Sequence, residues 1–137
     1  MSRLLLALGL LLLSLLAPLT QAATRFDFAV WMREIDLRSV SVQKALRAQQ
    51  GEAAAHDARE LERLYALMER YFAHEYPAPD AAAVSRDGRQ QAAAITQHLQ
   101  VQDWLAAAQA ARAIALACND CHDPYKPFPR PAPHEEA

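Results

Sequence analysis

The sequence predicts an all-α protein, specifically an antiparallel four-helix bundle. Its 137 residues include only three glycines, and long runs of alanine, leucine, glutamate, glutamine and arginine favour helix over strand. Apolar residues also recur with the helical period in four segments of similar length, which short connections separate. Four amphipathic helices joined in this way typically pack around a single core.

The first predicted helix begins at Thr24, because Thr24 and Asp27 have the spacing of a capping box. We expect it to end near Gln50, with Gly51 supplying a left-handed stop. At 100° per residue, one face of this helix is apolar apart from Ser39. The residues on that face are Phe28, Met32, Ile35, Val42 and Leu46.

The second helix is expected over residues 52–72 and the third over residues 80–100, with the proline-containing segment 76–79 between them. Glycine is a poor helix former, so the region 85–88 could delay the start of the third helix. The inward residues of the second helix are Leu61, Leu64, Tyr65, Met68 and Phe72. Those of the third are Val84, Gly88, Ala92, Ile95 and Leu99.

The fourth helix is expected to begin at the capping residue Asp103 and to run to Cys118. Five prolines follow within residues 124–133, and they predict an extended tail over 124–137 instead of further regular helix. The fourth helix contains Trp104 and several small residues that permit close approach of a neighbouring helix: Ala107, Ala108, Ala111 and Ala115. The bundle domain is therefore assigned to residues 24–123.

Residues 1–23 have the pattern of a cleavable signal peptide. Arg3 precedes the apolar run Leu4–Leu16, and small residues follow at 20–23. This run of thirteen residues is shorter than the roughly 20 residues that cross a bilayer, so we expect no membrane span. The predicted location of the mature protein is the periplasm.

The charge argues against nucleic acid as a partner. Of 14 basic residues, Arg3 would leave with the signal peptide, so 13 remain against 16 acidic residues. The basic residues are spread along the helices and form neither a phosphate-tracking stripe nor a polybasic membrane patch.

The segment from Cys118 to His122 reads C-x-x-C-H, the spacing at which haem is covalently attached to protein. In a helix, Cys121 and His122 lie three and four residues beyond Cys118, so two thiols and one imidazole share a face. The thiols can add to the haem vinyl groups, and His122 can bind the iron as its proximal ligand.

Two other uses of a C-x-x-C pair are less consistent with the sequence. A zinc site lacks ligands, because the chain has only two cysteines and its other histidines are dispersed. A thioredoxin-like motif should follow a strand and open a helix, whereas an alanine-rich helical run leads into Cys118. A haem-free thiol-disulfide oxidoreductase is the third-ranked hypothesis.

A four-helix pattern that ends in C-x-x-C-H resembles the class II c-type cytochromes, which include cytochrome c-prime and its methionine-ligated relatives. The motif is followed by residues that match acidic, aromatic and basic positions of that family, namely Asp123, Tyr125 and Lys126. Pro124 departs from the family pattern. The resemblance implies one covalent haem c, thioether links at Cys118 and Cys121, proximal ligation by His122, and a positive charge from Lys126 near the haem.

The resemblance also implies that a residue of the first helix covers the distal side of the haem. Periodicity favours Met32, whose thioether is a suitable sixth ligand for haem iron. A second alignment instead assigns the distal position to Leu37, because members of the family often carry an arginine four residues before the distal residue, as Arg33 would be here. Leu37 cannot bind iron and points away from the predicted core. Met68 is expected in the core, and His98 on the surface.

These expectations predict a periplasmic electron carrier that needs no catalytic residues and exchanges electrons with redox partner proteins. The alternative is a five-coordinate haem protein that binds small gases such as nitric oxide beneath Leu37 or Ile35. An enzymatic role has little support, because the carboxylates mostly occupy solvated helix faces. The resemblance also suggests a homodimer.

Overall fold

The computed structural model describes the backbone of residues 22–125 and the side chains of residues 22–118. This part of the chain contains four α-helices and no strand: α1 (Arg25–Arg47), α2 (Gly51–Arg70), α3 (Pro79–Gln100) and α4 (Trp104–Tyr125). A single π-helical turn, Tyr71–Glu75, continues α2. The predicted signal peptide up to residue 21, and the tail from Lys126 onward, lie outside the described residues.

The four helices form the predicted bundle, in which each helix packs against the next and α4 returns to α1. Neighbouring helices run antiparallel, as contacts between α2 and α3 illustrate. Glu69 pairs with Arg86, whereas Tyr65, one turn earlier on α2, meets Gly88, which lies later on α3. The contact between α1 and α4 is less extensive than the other three contacts between neighbours.

The start of α1 is the predicted capping box. The main-chain N–H of Thr24 donates to the Asp27 carboxylate at 2.8 Å, and the N–H of Asp27 donates to the Thr24 hydroxyl at 3.2 Å. These bonds satisfy donors that the first turn of a helix leaves without a partner. The Thr24 hydroxyl also donates to the carboxylate, and its hydrogen bond is the main reason that the pKa of Asp27 is lowered.

The predicted end of the first helix was wrong. The helix ends at Arg47, Gln49 takes the left-handed conformation (φ 53°), and Gly51 opens α2. The N–H of Gln50 bonds to the carbonyl of Ala45 at 2.9 Å, which closes the chain reversal. These main-chain bonds hold a glutamine in the conformation that we assigned to glycine.

The predicted delay at the start of α3 is also not observed, because the helix is continuous through Gly88. The buried face agrees with the predicted core in α2 and in most of α1 and α3. The largest completely buried residues described in the bundle come from these three helices, from the π-helical turn after α2 and from Ile114 of α4: Phe72, Leu61, Leu64, Ile95, Ile114, Val42 and Ser85.

One feature of α4 differs from the sequence prediction. The helix continues past His122 to Tyr125, so Pro124 is accommodated in its last turn instead of beginning an extended tail. Of the small residues of this helix, Ala107 and Ala111 are buried and Ala108 is exposed. The expected cap is present, since the N–H of Ala106 donates to the Asp103 carboxylate at 3.0 Å.

Ion pairs tie α2 to both of its neighbours. The Arg38 guanidinium donates to the buried Asp57 carboxylate at 2.7 Å, and this hydrogen bond raises the pKa of Arg38. On the other side, Arg86 and Arg89 of α3 donate to opposite oxygens of Glu69 at 2.9 and 3.0 Å. Among the helices described, none combines the length and continuous apolarity needed to cross a membrane.

Candidate cofactor site at the end of α4

The whole C-x-x-C-H segment lies within α4, as the predicted chemistry requires. A helical backbone from residue 118 to residue 122 directs positions 118, 121 and 122 toward neighbouring parts of one face. Cys118 is half-buried. The side chains of Cys121 and His122, and the whole of Lys126, lie outside the described residues, so the roles assigned to them stay predictions.

The Cys118 thiol faces the interior of the bundle. Its Sγ donates to the carbonyl of Ile114 at 3.4 Å, one turn earlier in α4. Burial raises the pKa of this thiol and the charge of Asp36 acts in the same direction, whereas a hydrogen bond from the Tyr65 hydroxyl opposes them. Cys118 is therefore a neutral thiol at pH 7, with a hydroxyl donor beside it.

Gly88 on α3 provides the space that Tyr65 occupies. A Cβ at this glycine would lie 2.6 Å from Cε1 of the tyrosine ring, closer than two carbon atoms can approach. The ring therefore packs directly on the α3 backbone while its hydroxyl reaches Cys118 on α4. Periodicity alone placed Tyr65 in the core but gave no indication of this contact with the motif.

Two observations indicate the approximate antiparallel register of α1 and α4. Leu46 and Ala108 line the same groove, and the Asp36 carboxylate acts electrostatically on the Cys118 thiol. Residues 108 to 118 of α4 therefore run alongside residues 46 to 36 of α1, in the opposite direction.

When this register is continued, Met32 of α1 lies level with residue 122 of α4, to within about one helical turn, or about 5 Å. Met32 is half-buried and packs against the core. The register therefore gives Met32 and the last position of the motif a similar height along the bundle, and the role of Met32 as distal ligand stays a prediction.

The other nominated residues lie in different surroundings. Leu37 is 55 % exposed on the outer face of α1, whereas Ile35 is 3 % and Met68 is 2 % exposed within the core. His98 lies in the last turn of α3, where its carbonyl accepts a hydrogen bond from the N–H of Asp103 at the start of α4. His98 is therefore near the opposite end of α4 from Cys118.

An aromatic cluster closes the end of the bundle near the motif. Phe28 stacks on Tyr71 with ring centroids 5.2 Å apart, and Trp31 meets the edge of the same tyrosine at 6.4 Å. Phe72 and Tyr76 complete the cluster. Burial raises the pKa of Tyr71. Phe28 lies on the predicted apolar face of the first helix, and here both Phe28 and Trp31 pack on protein rings.

A groove of about 420 Å³, which the sequence pattern did not predict, lies between α1 and α4. Its volume is within the range of small-molecule sites. Small residues on α4 leave this space unfilled, while a guanidinium group comes from each helix. The residues that line it are Gln43, Leu46, Arg47, Ala108, Arg112, Ala115 and Leu116.

The donor set of the motif suits a covalently attached haem better than it suits a bare metal ion. Two thiols and one imidazole follow one another on a single helix, and Met32 lies level with the imidazole position on the facing helix. Within residues 22–118, no cluster of three or more histidine, cysteine, aspartate or glutamate side chains is arranged to hold a metal ion.

No protein-family model, no curated protein and no solved structure matches this chain. Its function is therefore inferred from the residues of the bundle themselves.

Proposed function

We propose that this protein is an exported c-type cytochrome that carries electrons through one covalently bound haem. The observation that carries the proposal is the position of the C-x-x-C-H segment. It lies inside α4, within the helical part of the bundle. Two sulfur nucleophiles, one imidazole and an opposing thioether are the residues that a six-coordinate haem requires.

Each residue has a separate role in this proposal. Cys118 and Cys121 provide the thioether sulfurs, His122 is the proximal iron ligand, and Met32 is the distal ligand. The haem, when bound, supplies a reversible one-electron couple. Met32 needs little adjustment to keep its place, because it already packs against the core.

The surroundings of Cys118 suit its covalent use. Burial keeps the sulfur protonated at neutral pH, and Tyr65 donates a hydrogen bond to it. A protonated, half-buried cysteine resists unwanted oxidation better than an exposed thiolate does. Tyr65 and Gly88 then hold α2 and α3 at a fixed spacing beside the attachment site.

The test begins with the mass of the mature protein produced in a host that attaches haem. We expect the mass of the polypeptide plus one haem, which is lost when Cys118 and Cys121 are both replaced by serine. We also expect a low-spin spectrum with the near-infrared band of methionine-ligated ferric haem. An unmodified mass, with the two cysteines forming a reducible disulfide, would favour the oxidoreductase instead.

Met32→Leu should abolish the near-infrared band and give a high-spin spectrum. The matched control is Met68→Leu, since Met68 is a buried core methionine on α2 and should leave the band intact. If Met32→Leu leaves the spectrum unchanged while haem is attached, Met32 is not the ligand. A high-spin spectrum already present in the unsubstituted protein would favour the gas-binding alternative.

The location and partners belong to the same proposal. We expect export to the periplasm with removal of residues 1–23, which sequencing of the mature N-terminus checks. Exposed apolar residues of α1 offer a surface for a redox partner or for a second copy of this chain: Phe26, Val30, Leu37 and Val40. Sedimentation velocity over a range of concentrations distinguishes a homodimer from a monomer.

A further inference from the structure

The groove between α1 and α4 is an open cationic surface with an apolar floor. Leu46, Ala115 and Leu116 contribute apolar surface, and the guanidinium groups of Arg47 and Arg112 come from opposite helices. No carboxylate is among the residues that line the groove. A surface of this composition is complementary to a segment that carries both apolar side chains and carboxylates.

The two arginines of the groove differ from others in the same bundle. Arg38, Arg86 and Arg89 each pair with a carboxylate of a neighbouring helix. Within the described side chains, neither Arg47 nor Arg112 takes part in an ion pair. Their charges are therefore not used to join helices, and they stay open to a binding partner at the surface.

The charge along the same face of α1 changes sign toward the end of the bundle that contains the motif. Asp36 precedes Gln43 by seven residues and Arg47 by eleven, so the three share one face of the helix. Asp36 is exposed and acts electrostatically on the Cys118 thiol of α4. A segment that lies along this face therefore meets a negative group near the motif and positive groups further from it.

Twelve residues follow the end of α4, and their charges change sign in the complementary order. The first charged residues of this tail are basic, at Lys126 and Arg130, and the last are acidic, at Glu135 and Glu136. Proline occupies every second position of residues 127–133, which favours the extended polyproline II conformation. A segment with this composition loses little conformational entropy when it docks in a groove.

The length of the tail matches the distances to the charged groups. In the antiparallel register of α1 and α4, Asp36 lies about 10 Å and Arg47 about 27 Å back from the end of α4. A polyproline II segment that folds back reaches about 15 Å at Arg130 and about 31 Å at Glu135. Each reach exceeds the corresponding distance by a few ångströms, which are left for the chain to reverse direction.

We infer that the tail, residues 126–137, folds back along α4 and docks in the groove between α1 and α4. The carboxylates of Glu135 and Glu136 pair there with Arg47 and Arg112, and the prolines cover the apolar floor. Arginine can donate two parallel hydrogen bonds to one carboxylate, and such charge-assisted bonds are stronger than neutral ones. Docking of the tail requires no haem and is therefore independent of the proposed function.

Charge order and covalent attachment favour the tail over a dissolved partner. With Arg130 beside Asp36, opposite charges face each other near both ends of the segment, which fixes its direction in the groove. The tail is also attached next to the groove, and a short linker gives an effective concentration of millimolar order. A dissolved acidic partner has to compete with this local concentration.

The experiment uses the full mature chain, labelled with ¹⁵N, and measures backbone order parameters of the tail by NMR. Any haem is kept reduced, so that low-spin iron is diamagnetic. The reporters are tail residues that have an amide hydrogen: Phe128, Arg130, Ala132 and Glu135. We expect order parameters above about 0.6, below which backbone is flexible. Salt at about 1 M, where the Debye length is about 3 Å, should lower them.

Reversing the charge of the groove should release the tail. Arg47→Glu combined with Arg112→Glu replaces attraction by repulsion, so the order parameters of the tail should fall below about 0.6. Reversing the tail charges in the same background, with Glu135→Arg and Glu136→Arg, should restore the order. Rescue of this kind is expected only when the two pairs of residues face each other.

The matched control is Arg59→Glu combined with Arg70→Glu. It makes the same change in net charge at two exposed positions of α2 and should leave the tail ordered. The dispersion of the core amide signals shows that each variant is folded, and all the groove substitutions are at exposed positions.

The inference is overturned if the tail is flexible in the unsubstituted protein at low salt, and the groove is then open to an external acidic partner. It is also overturned if the order falls on dilution, since the tail then docks in the groove of a second copy. Order that persists after the groove charges are reversed, or that is lost equally in the control, contradicts it as well. All these outcomes leave the proposed cytochrome function intact.

Discussion

The ring of Tyr65 lies directly on the backbone of Gly88, where an added Cβ would be 2.6 Å from Cε1 of the tyrosine. This contact joins α2 to α3 at the level of Cys118, because the tyrosine hydroxyl also bonds to that thiol. The packing of a core glycine and the environment of the candidate cofactor site are therefore linked through one side chain.

Gly88→Ala should destabilise the protein, even though alanine is the better helix former. The added methyl group forces the Tyr65 ring away from α3, and overpacking of this kind costs about 1–3 kcal/mol of unfolding free energy. Urea denaturation measures the change. Gly51→Ala is the control, since its Cβ would lie 3.4 Å from Trp104 in ordinary contact. Equal stability of Gly88→Ala and the unsubstituted protein would contradict the packing described here.

Arg38→Gln should also destabilise the bundle, because the carboxylate of Asp57 is buried and would lose its ionic partner. A buried charged group without a partner costs about 2 kcal/mol or more. Arg63→Gln removes an arginine from an exposed pair with Glu60 and should change the unfolding free energy by less than about 1 kcal/mol. Thermal unfolding of the two variants provides the comparison, and a similar loss in both would argue against a structural role for the buried pair.

The link between α2 and α3 through Glu69 should weaken in acid. Burial acts to raise the pKa of this carboxyl, but hydrogen bonds from Arg86 and Arg89 prevail and the pKa is lowered. A lowered pKa in the folded state means that the ionised form stabilises the fold. This stabilisation is complete above the ordinary pKa of 4.5 and is lost as pH falls through the folded-state pKa.

Glu69→Gln should therefore lower the unfolding free energy at pH 7, and the difference from the unsubstituted protein should shrink as pH falls below about 4. Urea titrations at several pH values measure it. Glu62→Gln, on the same helix, serves as the control. A difference that is constant between pH 7 and pH 3 would show that ionisation of Glu69 is not responsible.

Tyr65→Phe should make Cys118 less reactive in the polypeptide before haem is attached. Burial raises the pKa of the thiol, and the hydrogen bond from Tyr65 partly offsets that rise. Without the hydroxyl, the pKa should rise further and the thiolate fraction at a given pH should fall.

The rate of alkylation by iodoacetamide as a function of pH measures this effect, in a Cys121→Ser background that isolates Cys118. Tyr76→Phe is the control, because Tyr76 is an exposed member of the aromatic cluster. Faster alkylation in Tyr65→Phe than in the control would mean that the hydroxyl shields the sulfur instead of stabilising its charged form.

Much of the local structure follows from short-range rules. The capping pairs at Thr24 and Asp103 and the buried positions of α2 are set by residues within a few turns of one another. The errors arose where local rules compete. Gly51 was assigned the left-handed position that Gln49 occupies, since several main-chain arrangements can reverse a chain between two helices. Pro124 was expected to end the last helix, whereas the backbone stays helical to Tyr125.

The sequence by itself determined the four helices, the apolar face of each and the C-x-x-C-H segment, because helix period and motif spacing are properties of consecutive residues. Only the tertiary structure decided that Tyr65 reaches Cys118 while it packs on Gly88, and that Arg47 and Arg112 share a groove. The physical reason is that the relative height and rotation of two helices depend on how side chains from distant segments interlock. The residue pattern of one helix therefore does not predict which residues of a neighbouring helix it contacts.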